Sequence, residues 1–138
     1  MKARVKWVEE MSFLGMTESG HAVLMDGPPD SGGRNLGPRP MEMLLLGAGG
    51  CTAFDVVLIL KKGRHAVSGC EVMIDAERAI SDPKVFTKIH LHFFVSGKNL
   101  KPEAIERALK LSAEKFCSAT IMLGKTAVVT RDFELVEG

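Results

Sequence analysis

The segment from Pro40 to Lys62 limits the possible folds of this chain more than any other feature. Its residues are apolar on nearly every side of a helix, and Pro40 has the fixed φ that suits a first helical turn. Such a helix has to be covered on most of its surface. Because a sheet on one side leaves the other side bare in a chain of 138 residues, we expect a central helix within an intertwined homodimer.

Three glycines lie inside this predicted helix, at Gly47, Gly49 and Gly50. Each one costs about 1 kcal/mol of helix propensity relative to alanine. We therefore expect a partner helix or a substrate to approach the backbone closely at this point.

Strands are predicted on both sides of the helix. Ala3, Val5 and Trp7 alternate with charged residues, which is typical of a strand with one buried face. The glycine- and proline-rich stretch 27–40 predicts a long loop without regular structure. The remaining predicted elements are strands at 12–16, 21–25, 70–80, 85–96 and 126–136, and a second helix from Pro102 to about Leu123. These elements predict a single α+β domain over residues 1–138, with antiparallel sheets around long central helices.

Composition excludes several classes of function. The chain has 18 Lys and Arg residues against 17 Asp and Glu, a net charge of +1, which is too balanced for nucleic-acid binding. The longest uncharged apolar run, from Met43 to Phe54, is short of the ~18–20 residues that cross a bilayer, so we expect no membrane span. The charged start lacks the apolar core of a secretory signal, so we expect a cytoplasmic protein.

Two of the three cysteines are candidates for chemistry. No Cys-x-x-Cys is present, so neither a disulfide framework nor a zinc ribbon is indicated. Cys51 and Cys117 lie in predicted apolar helices, where they suit a peroxidatic and resolving pair: a peroxide oxidises one thiolate to sulfenic acid, and the second thiol condenses with it. The alternative for both residues is simple packing, and Cys70 is expected in the core.

A peroxidatic thiol requires stabilisation of its thiolate, for which a nearby arginine is one source. Arg34 and Arg39 precede the Cys51 helix, and Glu42 in its first turn is placed to orient one of them by a bidentate pair. The alternatives are a solvated loop for both arginines and a favourable charge at the helix N-terminus for Glu42.

The sequence indicates no metal or cofactor. His90 and His92 share one face of a predicted strand, but cross-strand pairing with Glu71, Asp75 and Glu77 explains them at lower cost than a metal site. The chain has no P-loop, dinucleotide-binding motif or nucleophile elbow.

Two segments resemble the OsmC/Ohr family of osmotically inducible and organic hydroperoxide resistance proteins. The run from Pro40-Met41-Glu42-Met43 to Gly49-Gly50-Cys51 is similar to the family's Pro-Glu-x-Leu opening and its helix ending in the first cysteine. Ser112-Ala113-Glu114-Lys115-Phe116-Cys117-Ser118 resembles the segment around the second. Within the family, the YhfA-like subgroup is the most similar. The resemblance covers almost the whole chain and implies an OsmC-like fold, an intertwined homodimer and active sites at the subunit interface.

The resemblance also implies an activity. It identifies the chain with thiol peroxidases that reduce organic hydroperoxides, with Cys51 as the peroxidatic and Cys117 as the resolving cysteine. The implied electron donor is a small dithiol such as dihydrolipoamide.

This chain departs from the family pattern at three places. Met41 follows the proline where the family has its catalytic glutamate, so Glu42 lies about 100° further round the helix. Ser19 and its neighbours replace the early Gly-Arg-Asp-Gly turn, and Ser118 follows Cys117 where proline is common. The alternative function is therefore a non-peroxidatic small-molecule binder or redox sensor on the same fold.

Overall fold

The computed structural model describes residues 1–137 and confirms the α+β class. The chain divides into two compact units, Met1–Leu46 and the part that begins at Gly47. Each unit has its own three-stranded sheet.

The first unit is an antiparallel meander of β1 (Ala3–Glu9), β2 (Ser12–Thr17) and β3 (Ala22–Met25), in the order β1-β2-β3. The predicted strands are confirmed, but the expected buried face of the first one is wrong. All seven residues of β1 are exposed, and Trp7 keeps 64% of its surface accessible. The alternation is real, but within one chain β1 has no layer over its apolar side.

Asp26 holds the loop that follows β3. Its buried carboxylate accepts hydrogen bonds from Ser12 Oγ at 3.0 Å and from the backbone N–H groups of Gly27, Arg34 and Leu36 at 2.7, 3.4 and 3.2 Å. Burial acts to raise the pKa of Asp26, but these hydrogen bonds outweigh it and hold the pKa below its ordinary value. The loop also contains a short 3-10 turn, Pro29–Ser31, so the prediction of no regular structure was wrong there.

Replacing Asp26 with asparagine is expected to lower the melting temperature by roughly 3–10 °C at pH 7, because three backbone donors lose a charged acceptor. The folded pKa lies below the unfolded one, so the stabilisation is complete above about pH 3.9 and is lost as the pH falls through the folded pKa. Thermal melts of wild type and variant should therefore converge in acid. The exposed Asp30→Asn is the control, and a difference that persists unchanged to pH 3 would contradict this role.

The central helix α1 spans Pro40–Lys62, the bounds that the sequence predicts. One stripe of it is buried, consisting of Ala48, Thr52, Val56 and Leu60 at intervals of four residues. Its most apolar 18-residue window has a mean hydropathy of 2.1 and is only 28% buried. By length and composition the whole of α1, which includes charged residues beyond the uncharged run from Met43 to Phe54, is long and apolar enough to cross a membrane. The absence of a membrane span stays a prediction. The buried core helix of a protein also meets these criteria of length and hydropathy, so the finding alone is not evidence that α1 lies in a membrane.

The second unit is built on β4 (Ala66–Arg78), β5 (Phe86–Lys98) and β6 (Val128–Glu137), in the order β4-β5-β6. β4 and β5, which correspond to the strands predicted at 70–80 and 85–96, pair as an antiparallel hairpin. β6 pairs parallel to β5, so the sheet is mixed where antiparallel sheets were expected. A parallel return is possible because helices lie between the two strands in sequence. The predicted alternation holds along β5, except that Phe86 is buried and Val85 is exposed.

The second predicted helix is broken at its second cysteine. α2 spans Pro102–Leu111, a π-helical turn follows over Ser112–Phe116, and α3 spans Ser118–Leu123. The N–H of Cys117 donates to Ser112 O at 2.9 Å, a bond that reaches back five residues and ends the helix. The expectation of one helix continuing past Cys117 was wrong, because apolar periodicity does not show where the backbone switches its hydrogen bonds.

Candidate active site

Close packing between α1 and β4 positions the first cysteine. A Cβ atom on Gly49 would lie 2.6 Å from Cδ1 of Ile74, so the helix backbone meets the sheet where glycine leaves room. Among residues 1–137, Gly47 and Gly50 have no such neighbour within 4 Å, and they leave the other side of the helix open. A close approach is found at Gly49, but it is made by a strand rather than by the partner helix or substrate that the sequence predicts, and it places half-buried Cys51 beside an open backbone face.

The two predicted redox cysteines are brought together. The sulfur atoms of Cys51 and Cys117 and a carboxylate oxygen of Asp55 all lie within 4.8 Å of one another. Both cysteines are free thiols, and a movement of less than 3 Å brings the sulfurs to the ~2.05 Å of a disulfide. The fold thus joins two residues that are remote in sequence into one dithiol site.

The environment of Cys117 makes it the less reactive of the two thiols. It has no exposed surface, and its Sγ accepts a hydrogen bond from Thr120 N at 3.4 Å. Burial raises the pKa of the Cys117 thiol, the bonds to Thr120 oppose this, and the neighbouring Cys51 raises the pKa further. A protonated, buried thiol suits a resolving cysteine rather than the one that attacks first.

Cys70 stands apart from this pair. It lies half-buried on β4 and faces Val95 across the strand pair. Burial raises the pKa of the Cys70 thiol. Its pairing with buried Val95 agrees with the predicted inward side of the strand, but Cys70 is only half-buried and is not fully in the core.

A polar chain missed by the sequence interpretation runs beside the cysteines. Thr52 Oγ1 and Ser112 Oγ share a hydrogen bond at 2.9 Å, and Ser112 Oγ donates to Asp55 Oδ2 at 3.0 Å. Thr52 and Ser112 are both buried, so this chain ties α1 to the π-helical turn next to Cys117. Asp55 could have been found, because it follows Cys51 by one helical turn. Ser112 could not, since its contact depends on the break in the second helix.

Arg131 is a second residue that the sequence did not single out. It pairs with buried Leu91 across β5 and β6 and therefore lies on the core side of the sheet. Among the described residues its buried Nε has no hydrogen-bond partner. Burial lowers the pKa of Arg131, and the charge of an ionised Cys117 raises it. The guanidinium is thus electrically coupled to the second cysteine.

The predicted arginine and glutamate partners are engaged within the first unit. The guanidinium of Arg34 pairs with Glu9 at 3.1 Å, and that of Arg39 donates to Asn35 Oδ1 at 2.6 Å. Glu42 accepts from the backbone N–H of Arg39 at 2.8 Å, half of a capping box, rather than forming the expected bidentate pair with its guanidinium. Their role toward Cys51 stays a prediction.

A groove of about 620 Å³ adjoins Asp55 in the second unit. Its walls combine apolar and basic side chains, including Leu58, Leu111 and Phe116 and also Lys62, Arg107 and Lys115. The ammonium of Lys115 lies 5.3 Å from the centre of the Phe116 ring. The groove offers an apolar surface with positive charge at the edge of the dithiol site.

Residues 32–131 match the model of a protein family described as OsmC-like protein. The chain belongs to this family. Protein YhfA from Escherichia coli K12 is 53% identical over 136 residues, which cover 99% of this chain and 98% of that protein. These matches and the structures below show that the OsmC-like fold extends over almost the whole chain.

Two crystal structures illustrate the range of OsmC-like neighbours. A hypothetical protein from Aquifex aeolicus VF5 is 29% identical, covers 99% of this chain and 96% of its own, and superposes with a TM-score of 0.87. The organic hydroperoxide resistance protein OsmC from Legionella pneumophila is 13% identical, covers 96% and 95%, and superposes with a TM-score of 0.73. At that identity the second likeness concerns the fold alone.

The three thiols of this OsmC-like protein are expected to react in a fixed order. An aromatic disulfide reagent should modify Cys51 roughly tenfold or more faster than Cys70 or Cys117, because Cys51 borders an open backbone face while burial raises the pKa of the other two. Stopped-flow labelling of native wild type and of Cys51→Ser measures this order. A fast phase that survives in Cys51→Ser would show that another thiol is the reactive one.

Proposed function

We propose that this protein is a thiol peroxidase that reduces organic hydroperoxides through Cys51 and Cys117. The observation that carries the proposal is the dithiol site, in which the two sulfurs and Asp55 lie within 4.8 Å. The membership of the OsmC-like family supports it, as does the hydroperoxide resistance named for the Legionella structure.

The proposed reaction has three steps. The Cys51 thiolate attacks one peroxide oxygen, the O–O bond breaks, and the alcohol leaves after taking up a proton, so that Cys51 becomes a sulfenic acid. The Cys117 sulfur then attacks Cys51 Sγ, water leaves, and a disulfide forms. A small dithiol reduces this disulfide by two exchange steps and is itself oxidised to a disulfide.

The neighbouring polar groups suit these proton movements. Asp55 lies beside both sulfurs and is placed to accept the proton that Cys51 gives up, with Ser112 Oγ fixing the carboxylate by its 3.0 Å bond. The positive charge of Arg131 favours the Cys117 thiolate when the reductant releases it from the disulfide. Asp55 and Arg131 both belong to the second unit of the chain.

The groove beside Asp55 favours a class of substrate. Its apolar walls suit a hydrocarbon chain, and its three basic side chains suit a carboxylate head group. We infer that hydroperoxides of the fatty-acid type fit better than small or cationic peroxides.

Oxidation by cumene hydroperoxide is the direct test of the peroxidase. Wild type should be oxidised rapidly to a Cys51–Cys117 disulfide, and Cys117→Ser should stop at a sulfenic or overoxidised Cys51. Cys51→Ser should lose the fast phase by at least about a thousandfold, because the attacking sulfur is gone. Stopped-flow titration followed by mass spectrometry reads out each product.

Cys70→Ser is the matched control and should react like wild type, because Cys70 lies outside the dithiol site. Slow oxidation of all three cysteines in folded wild type would overturn the peroxidase. Stabilisation of the protein by fatty acids without turnover would then support the binder or sensor on the same fold.

We also propose that the protein acts as a homodimer joined along α1. Gly47, Gly50, Phe54 and Leu58 follow one another at three- or four-residue intervals and form an uncovered stripe of the helix. Phe54 is 69% exposed, and a Cβ atom on either glycine would have no neighbour within 4 Å in the described part of the chain. A second copy of the helix could approach this backbone closely and cover the apolar side chain.

Phe54→Asp is expected to dissociate the dimer, because it places a charge in an apolar contact. Sedimentation equilibrium should show a dimer for wild type and a monomer, or at least a tenfold weaker dimer, for the variant. Met73→Asp makes the same change at a 58% exposed residue that alternates with Ile74 and so faces away from α1. A Phe54→Asp protein that dimerises like Met73→Asp would exclude this interface.

A further inference from the structure

We propose a second site, a binding site for a divalent transition-metal ion such as Zn²⁺, formed by His90, His92 and Asp132 on the outer face of the β4-β5-β6 sheet. The ligating atoms of these three residues lie within 4.8 Å of one another. Imidazole nitrogen and carboxylate oxygen are the ligands that Zn²⁺ takes in open three-residue sites. The site is separate from the dithiol, because His90 and His92 alternate along β5 with Leu91, which is buried in the core.

The three side chains converge on one point. Asp132 Oδ1 lies 2.9 Å from His90 Nε2 and 2.5 Å from His92 Nδ1. In a tetrahedral zinc site, bonds of about 2.0–2.1 Å hold ligand atoms about 3.3 Å apart. The two contacts to Asp132 therefore need to open by less than 1 Å to reach this spacing, and the two imidazole nitrogens already lie within 4.8 Å of each other.

Each histidine is already held by its other ring nitrogen. His90 Nδ1 lies 2.6 Å from Thr130 Oγ1, and His92 Nε2 lies 2.6 Å from Glu134 Oε2. A carboxylate only accepts, so Nε2 of His92 donates to Glu134 and Nδ1 donates to Asp132. When a metal ion replaces the proton on Nδ1, the bond from Nε2 to Glu134 still fixes the ring, as an outer partner does for metal-bound histidines.

A cation fits at the point of convergence, between Nδ1 of His92 and the carboxylate of Asp132. Without a proton on Nδ1, its lone pair would face the acceptor oxygen of Asp132, and the two would repel. A proton on Nδ1 removes this repulsion by donating to Asp132. A metal ion resolves it as well, by taking Nδ1 and the carboxylate as ligands and displacing that proton.

The charge of the surrounding face favours a cation. Direct cross-strand pairing places Asp75 beside His90 and Glu71 beside Phe94, and Glu77 pairs with Lys88. With Asp132 and Glu134 from β6, five carboxylates share this face with Lys88 and Lys98 of β5.

Calorimetric titration with Zn²⁺ tests the site. The protein carries Cys51→Ser and Cys117→Ser, because Cys51, Asp55 and Cys117 are themselves close enough to bind zinc. This background should bind one Zn²⁺ per chain. His92→Gln should lose the binding, and Glu134→Gln should weaken it roughly 10–100-fold while leaving the ligands in place.

His21→Gln is the matched control, since His21 is exposed in the first unit, and it should bind as the background does. Circular dichroism confirms that each variant is folded, and the ring ¹⁵N shifts of His90 Nε2 and His92 Nδ1 should move on addition of Zn²⁺. Absence of saturable binding in the background would overturn the proposal. Equal affinity in His92→Gln and His21→Gln would overturn it too, because the zinc would then lie elsewhere.

Discussion

The need to cover α1 governs the rest of the structure. This helix is apolar on nearly all sides, but one chain covers only the stripe that contains Ala48, Thr52, Val56 and Leu60. The sheet reaches that stripe closely because Gly49 has no side chain at the contact with Ile74. The opposite stripe, around Phe54, stays open and is where we place a second copy of the chain. The dithiol lies between the covered and uncovered sides.

The two cysteines lie in different environments. Cys51 sits on a regular helix beside glycines, with access from one direction, while Cys117 ends a π-helical turn and is fully buried. Burial is costly for a thiolate, so it raises the pKa of the Cys117 thiol and favours its protonated form. The buried chain of Thr52, Ser112 and Asp55 fixes the distance between the two helical segments. The resulting site combines one accessible sulfur and one buried sulfur.

The two faces of the β4-β5-β6 sheet carry different chemistry. Arg131 and Asp132 are neighbours on β6, but strand alternation sends the first toward the core near Cys117 and the second toward the outer histidines. Parallel pairing with β5 decides which residues each of them meets. A shift of one residue in this register would exchange the two faces and destroy both clusters.

The sequence alone determined the features that depend on local pattern. The bounds of α1 follow from Pro40 and unbroken apolar character, the alternation along β5 from its period of two, and the dithiol from the resemblance of the segments around Cys51 and Cys117. The tertiary structure alone decided the break before Cys117, the parallel return of β6, and hence the neighbours Ser112 and Arg131 at the dithiol and Asp132 and Glu134 at the histidines. These contacts join residues that are distant along the chain. Their formation depends on backbone hydrogen bonding and strand register, which the order of apolar and polar residues does not specify.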